Sequence, residues 1–154
     1  MSEIVQEVYL GLGANLGDRE KNIEQAVSYL EKHGTVMATS SFYETEPWGI
    51  IDQPIFLNKA LHLRTRLAAD KLLQCIFAIE KKLKRERVII NGPRTIDIDI
   101  LIYGHAIIDR PGLQVPHPGM HKRTTVLLPL IEIASKVVHP VFRKTMAELL
   151  EEIR

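Results

Sequence analysis

Apolar and polar positions alternate along the chain in a way that predicts four strands and two helices. Strand-like runs rich in β-branched and aromatic residues are expected at residues 8–13, 35–45, 56–65 and 95–103. Helical spacing of apolar residues falls between the first and second runs, and again between the third and fourth. The order βαββαβ predicts a ferredoxin-like α+β fold, which is an antiparallel sheet with its helices on one face.

Capping residues set the expected limits of the two helices. Asp18 is a good N-cap for the first helix, and Gly34 ends it. The second helix is expected over about residues 69–83, with one apolar stripe formed by Leu72, Ile76, Ile79 and Leu83.

The C-terminal part of the chain extends beyond the βαββαβ pattern. Residues 111–118 are rich in turn formers, residues 126–134 form a short apolar piece, and a terminal helix is expected over 145–153. No repeat, low-complexity tract or Pro/Gly-rich linker divides the sequence. The chain is therefore interpreted as a single domain, residues 1–154, with a C-terminal extension.

Composition and charge exclude several classes of function. The 154 residues carry a net charge of +1, so no global charge attracts the protein to nucleic acid or to anionic lipid. The apolar runs are too short to span a bilayer, and the N-terminus lacks a basic segment followed by an apolar stretch. The single cysteine, Cys75, excludes an internal disulfide framework. A cytoplasmic location is expected, and the oligomeric state is left open.

Two aspartates on the last predicted strand are the first candidates for chemistry. Asp97 and Asp99 alternate with isoleucines, so both point to one face of the strand. Their Cα atoms would lie roughly 6–7 Å apart, given about 3.3 Å of rise per residue. Aspartate is disfavoured in strands, and two like charges on one face repel each other unless a cation lies between them. The pair predicts a Mg²⁺ site more readily than a solvated sheet face.

A cationic stretch leads into the aspartate strand, and it comprises Lys81, Lys82, Lys84, Arg85, Arg87 and Arg94. A solvated helix end explains Lys81 and Lys82, because basic residues suit the C-terminal end of a helix. The three arginines flank an expected loop just before the aspartates. Arginine beside Mg²⁺ is typical of phosphoryl transfer, since its planar fork neutralises charge on phosphate oxygens.

The remaining motifs are less specific. The glycines of residues 11–17 do not match the spacing of a dinucleotide fingerprint or of a P-loop, so they are assigned to close packing or a turn. Prolines on both sides of His117 fix its backbone, which suits a contact to phosphate or ribose, and Arg123 follows nearby. No cysteine stands at metal-ligand spacing from His117, and a zinc site is not expected.

Six ordered segments resemble the 6-hydroxymethyl-7,8-dihydropterin pyrophosphokinase family, from residue 8 to about residue 134. They are residues 11–18 (GLGANLGD), 41–45 (SFYET), 52–58 (DQPIFLN), 92–99 (GPRTIDID), 115–118 (VPHP) and 128–134 (LPLIEIA). The resemblance implies an enzyme of folate biosynthesis that transfers pyrophosphate from ATP to the pterin with two Mg²⁺ ions. It implies small-molecule substrates, and no nucleic acid or membrane partner.

The resemblance also implies roles for individual residues. Asp97 and Asp99 resemble the Mg²⁺ ligands, Arg85 and Arg94 the catalytic arginines. Three further residues resemble ATP contacts, namely Arg87, His117 and Arg123. Asn58 resembles the residue that recognises the pterin edge, with backbone groups near Thr45 and Trp48, and Phe56 resembles a stacking wall.

Two positions depart from the family pattern. Asn91 stands where the family usually has an aromatic residue, and Thr125 where it usually has phenylalanine. These departures keep open a pterin- or nucleotide-binding module without catalysis. An RNA-binding ferredoxin-like domain is a weaker alternative, because paired aspartates on a central strand would repel phosphate unless a metal intervenes.

Overall fold

The computed structural model of the chain describes residues 4–45, 54–84 and 95–154. Within them the strands are β1 (Gln6–Ala14), β2 (Thr35–Thr39), β3 (Tyr43–Thr45), β4 (Phe56–Thr65), β5 (Asp97–Tyr103), β6 (Ile108–Arg110) and β7 (Leu113–Val115). The α-helices are α1 (Arg19–Leu30), α2 (Ala69–Lys82), α3 (Thr124–Ala134) and α4 (Met146–Ile153). No helix among these residues combines the length and the apolar character needed to cross a membrane.

The main sheet has the strand order β2-β4-β1-β5, and each neighbouring pair is antiparallel. This order is the ferredoxin-like arrangement predicted from the sequence. β1 lies between β4 and β5 and pairs with both strands. Its residue Gly13 lies opposite Asn58 of β4 on one side and opposite Asp97 of β5 on the other. The candidate site residues of β4 and β5 are therefore brought to one end of the sheet.

Both faces of the sheet are covered. Apolar residues of β1, β4 and β5 pack against α1 and α2 in one core, as the βαββαβ pattern predicts. The C-terminal extension supplies α3 and α4, which pack on the opposite face around Tyr9, Ala60 and Leu101. Asp18 caps α1 as predicted, since its Oδ1 accepts a hydrogen bond from the backbone N–H of Lys21 at 3.1 Å.

The predicted strand at residues 35–45 is two strands, because Ser40 interrupts it. The Ser40 hydroxyl accepts a hydrogen bond from the backbone N–H of Ala60 at 2.8 Å, a position that a strand carbonyl would otherwise take. The chain resumes as β3, which pairs with the beginning of β4. Glu132 of α3 accepts hydrogen bonds from Ser41 and Tyr43, which ties this turn to the C-terminal extension.

The C-terminal extension contains more regular structure than the sequence pattern indicated. The apolar piece at residues 126–134 is part of α3, which includes Pro129 and is apolar on most sides because the sheet and α4 both pack against it. The turn-rich residues before it include the β6–β7 hairpin, and the Val115–Pro116 peptide bond is cis. The terminal helix has a capping box between Thr145 and Glu148, which fixes its start.

Candidate functional site

The glycines of β1 form the floor of a cavity at one end of the sheet. A Cβ atom on Gly13 would lie 2.8 Å from Oδ1 of Asn58, closer than real Cβ contacts. A Cβ atom on Gly11 would touch only the side chain of Leu101, at 3.5 Å. Gly13 thus allows a close approach of the Asn58 carboxamide to the backbone, so the prediction of close packing is confirmed at Gly13.

The cavity above this floor holds four of the predicted site residues, which lie on β3, on β4 and at the residue just before α3. Asn58 donates from Nδ2 to Oγ1 of Thr45 at 2.5 Å, which fixes the orientation of the carboxamide. Phe56, Arg123 and Thr125 also line the cavity, together with Asp97 and Asp99. A flat ring and a carboxamide with a fixed orientation can recognise a planar heterocycle by stacking and by directed hydrogen bonds.

A second cavity lies along the outer edge of β5. Its walls come from α2, through Leu73, Phe77 and Glu80, and from the segment around His117. The isoleucines of β5 and the β6–β7 hairpin complete it. The mixture of apolar walls and a single imidazole suits a ligand with a flat apolar part and a polar or charged part.

Asp97 and Asp99 line both cavities, and no other described residue does. Both are half-buried and alternate with the buried Ile96, Ile98 and Ile100, so the sequence-based assignment to one strand face is confirmed. Molecules in the two cavities would therefore meet at this carboxylate pair. Within the described ranges no cluster of three His, Cys, Asp or Glu residues could hold a metal. Mg²⁺ commonly takes one or two protein carboxylates and fills the rest of its shell with water and substrate oxygens.

His117 lies beside the aspartates. Its backbone N–H donates to the carbonyl of Leu101 at 2.9 Å, and its Nε2 is 3.9 Å from Oδ1 of Asp99. Burial, and then the positive charge of Arg123, lower the pKa of the His117 imidazole, although Asp97 opposes the shift. A lowered pKa favours the neutral imidazole near pH 7, so His117 is suited to hydrogen bonding with phosphate rather than to carrying a permanent charge.

The structure brings together every predicted site residue that it describes. The first cavity is lined by Thr45, Phe56, Asn58 and Arg123, and the second by His117. Asp97 and Asp99 line both cavities. Four predicted residues lie outside the described part of the chain, namely Trp48, Arg85, Arg87 and Arg94, as does Asn91. Phe77 and Glu80 line the second cavity but were not predicted from the sequence. The available signal for Glu80 was an acidic residue four positions after Ile76, on the apolar stripe of α2.

The fold and the paired cavities define an α+β domain in which two small molecules can meet at a carboxylate pair. Comparison with known proteins identifies the family more narrowly. Residues 9–135 match the model of the 7,8-dihydro-6-hydroxymethylpterin-pyrophosphokinase (HPPK) family, which covers most of the chain. The chain belongs to this family, and the matched range agrees with the resemblance found in the sequence.

Several curated relatives carry names consistent with this family. The chain is 42% identical over 145 residues to the 2-amino-4-hydroxy-6-hydroxymethyldihydropteridine pyrophosphokinase of Aquifex aeolicus, covering 94% of this chain and 91% of that protein. It is 46% identical over 131 residues to the Bacillus subtilis protein of the same name, covering 84% and 78%. A third relative, the folic acid synthesis protein fol1 of Pneumocystis carinii, is 42% identical, but the chain spans only 20% of its length.

Solved structures agree on the fold. A crystal structure of wild-type Plasmodium falciparum HPPK-DHPS with pteroate superposes with a TM-score of 0.77 and 17% identity, covering 99% of this chain and 43% of that one. The chain thus spans less than half of that two-part protein. At this identity the match supports the fold alone.

Proposed function

We propose that this protein transfers the pyrophosphoryl group of ATP to 6-hydroxymethyl-7,8-dihydropterin in folate biosynthesis, giving AMP and the pterin diphosphate. The observation that carries the proposal is the pair of cavities with Asp97 and Asp99 as their shared walls. A transfer between two substrates requires that donor and acceptor meet in one orientation, and this arrangement supports such a meeting. Family membership supports the choice of substrates.

The first cavity is assigned to the pterin. Asn58, held by Thr45, offers directed hydrogen bonds to the pterin edge, and Phe56 offers a stacking surface. Backbone groups near Trp48 are proposed to assist. The second cavity is assigned to ATP. The adenine base is proposed to lie against the apolar walls, and the phosphates are proposed to point toward His117. Arg87 and Arg123 are proposed as further phosphate contacts. Arg123 lines the first cavity together with Asp97 and Asp99, so the proposal places it where the phosphates would meet the aspartates.

Two Mg²⁺ ions are proposed to bind at Asp97 and Asp99. The donor set fits, since two half-buried carboxylates provide hard oxygen ligands and the cavities leave room for phosphate and water oxygens. When bound, Mg²⁺ neutralises charge on the phosphate chain. Two like charges two residues apart on one strand face are otherwise unfavourable, which supports a cationic partner.

Positioning and charge stabilisation are proposed to carry the reaction. The pterin hydroxyl oxygen attacks the β-phosphorus, the bond from that phosphorus to the α,β-bridging oxygen breaks, AMP leaves, and the hydroxyl proton passes to solvent. Arg85 and Arg94 are assigned to the charge that develops on the phosphate oxygens. No side chain is assigned as a general base, because this reaction class can proceed by alignment and electrostatics.

The direct test is the formation of AMP from ATP with and without the dihydropterin. We expect AMP and pterin diphosphate in equal amounts, formed only when ATP, Mg²⁺ and the dihydropterin are all present, as measured by ion-exchange chromatography. A protein that binds both ligands but releases no AMP would be a binding module instead. Chelation of Mg²⁺ by EDTA should abolish the activity, and added Mg²⁺ should restore it.

Thr125→Phe is expected to tighten pterin binding. Thr125 lines the same cavity as Phe56 and Asn58, at the position where the family usually has an aromatic ring. One stacking surface is worth on the order of 1–3 kcal/mol, by analogy with base stacking, which corresponds to roughly a ten- to hundredfold change in affinity. We expect part of that gain in calorimetric titrations with the pterin, whereas ATP affinity should change little.

The matched control for this prediction is Thr124→Phe, at the neighbouring exposed position at the start of α3. It adds the same ring without directing it into the cavity, since Thr124 does not line it. Unchanged or weaker pterin binding by Thr125→Phe would indicate that another residue, with Trp48 the first candidate, already provides that wall.

A further inference from the structure

Glu80 is a buried carboxylate next to the proposed metal site. It lies on α2, only 2% of its surface is exposed, and its Oε2 accepts a hydrogen bond from the backbone N–H of Ile98 at 3.0 Å. Ile98 is the residue between Asp97 and Asp99. The carboxylate of Glu80 is thus linked by one hydrogen bond to the peptide segment that carries both proposed metal ligands.

The sheet explains why this peptide needs such a contact. β5 is the last strand in the order β2-β4-β1-β5, so one of its edges faces away from β1. Ile98 lies opposite Leu12 of β1, but its N–H is directed to Glu80 rather than into the ladder. The same edge is held further along, where the Leu101 carbonyl accepts from the N–H of His117. Among the described residues, these two contacts replace a neighbouring strand.

A carboxylate is rarely buried in a protein core, and Glu80 accepts from the Ile98 N–H in such a position. Burying it away from water is unfavourable unless several groups compensate, and the surrounding positions of α2, Ile76 and Ile79, are apolar core residues. At Glu80, helix α2 therefore departs from its own apolar stripe where it contacts the Ile98 peptide. Such departures from local sequence rules are typical of functional positions.

We propose that Glu80 is a positioning residue that fixes the Ile98 peptide and thereby holds the Asp97 and Asp99 carboxylates in one orientation toward Mg²⁺. The proposal rests on the metal-binding role assigned to these aspartates. Because successive side chains of a strand project to opposite faces, a rotation of the Ile98 peptide would turn both carboxylates away from a common point. Outer contacts that orient metal ligands typically change metal affinity or activity by about 10–100-fold when removed.

Three variants separate positioning from general stability. Glu80→Met removes the acceptor and keeps an unbranched side chain of similar length, whereas Glu80→Gln keeps an acceptor oxygen for the Ile98 N–H. Ile79→Ala is the matched control, because Ile79 is the adjacent buried residue of α2 and does not line either cavity. It should lower thermal stability without touching the aspartate segment.

Three measurements are made on each variant. The exchange rate of the Ile98 amide is followed by NMR, the affinity for Mn²⁺ is followed by EPR in the presence of α,β-methylene ATP, and kcat is taken from AMP formation. For Glu80→Met we expect at least about tenfold faster exchange at Ile98 and about a tenfold weaker Mn²⁺ affinity, with a kcat lowered about 10–100-fold. Glu80→Gln should stay within about threefold of wild type in all three, and Ile79→Ala should keep the wild-type Mn²⁺ affinity.

Several results would overturn the proposal. The first is a Glu80→Met variant whose Mn²⁺ affinity and kcat equal those of wild type although its Ile98 amide exchanges faster. The second is an Ile79→Ala variant that melts at the same temperature as Glu80→Met and loses as much Mn²⁺ affinity and kcat. Absence of Mn²⁺ binding to wild type would also overturn it. If wild type binds Mn²⁺ but releases no AMP, the proposed function fails, and the Mn²⁺ affinities alone decide the role of Glu80.

Should Glu80→Met not fold, Glu80→Asp takes its place. The shorter side chain keeps the charge but withdraws the acceptor from Ile98 by about one methylene. We expect faster Ile98 exchange and weaker Mn²⁺ binding in this variant as well. Wild-type values for both would contradict the proposal.

Discussion

Replacing Asp97 or Asp99 with asparagine is expected to lower kcat at least about a hundredfold while the protein stays folded. Each change removes one negative charge from the pair that joins the two cavities, and a neutral amide is a much weaker Mg²⁺ ligand than a carboxylate. Removing one charge from a like-charged pair relieves repulsion, so the free energy of unfolding should not fall greatly. Steady-state AMP formation and thermal melting measure the two effects.

The control for this prediction is Asp109→Asn. Asp109 is also a strand aspartate, and it accepts a hydrogen bond from Gln114 at 2.9 Å, but it does not line either cavity. Its turnover should stay close to that of wild type. Near-normal turnover in both Asp97→Asn and Asp99→Asn would remove these residues from the metal site and, with them, the physical basis of the proposed mechanism.

The second large effect is expected from Arg85→Ala and Arg94→Ala. Both residues lie outside the described part of the chain, so their assignment rests on sequence and family resemblance. A group that acts only on charge developing in the transition state affects kcat and kcat/KM alike. Removing such a donor typically costs about 10²–10³ in rate. We therefore expect kcat to fall by about that factor at each position, with a much smaller change in KM for ATP.

Arg87→Ala and Lys81→Ala complete this series. Arg87 is assigned to ATP binding, so its alanine variant should raise KM for ATP and largely preserve kcat. Lys81 belongs to the end of α2 and is exposed, so its variant should resemble wild type. If Arg85→Ala and Arg94→Ala changed only KM, they would be ordinary binding residues, and charge stabilisation would fall to Arg123 and the metal.

Much of the secondary structure could be predicted because the signals are local. The periodicity of residues 56–65 predicted the bounds of β4, and the cap at Asp18 marked the start of α1. The terminal helix was expected over residues 145–153, and α4 lies within that range. The prediction was poorer where tertiary contacts override local preference. Ser40 divides a run that reads as one strand, and α3 is a helix despite Pro129 because the sheet and α4 pack against it.

The sequence by itself determined the ferredoxin-like order of elements, the shared face of Asp97 and Asp99, and the family, since each depends on residues close together in the chain or on motif order. Only the tertiary structure decided which side chains meet. Strand register and the packing of α2 against a sheet edge decide three such contacts. They are the hydrogen bond between Asn58 and Thr45, the approach of His117 to Asp99, and the hydrogen bond from the Ile98 N–H to Glu80. Local periodicity carries no information about such distant pairings, because many registers satisfy the same apolar pattern until the whole core is packed.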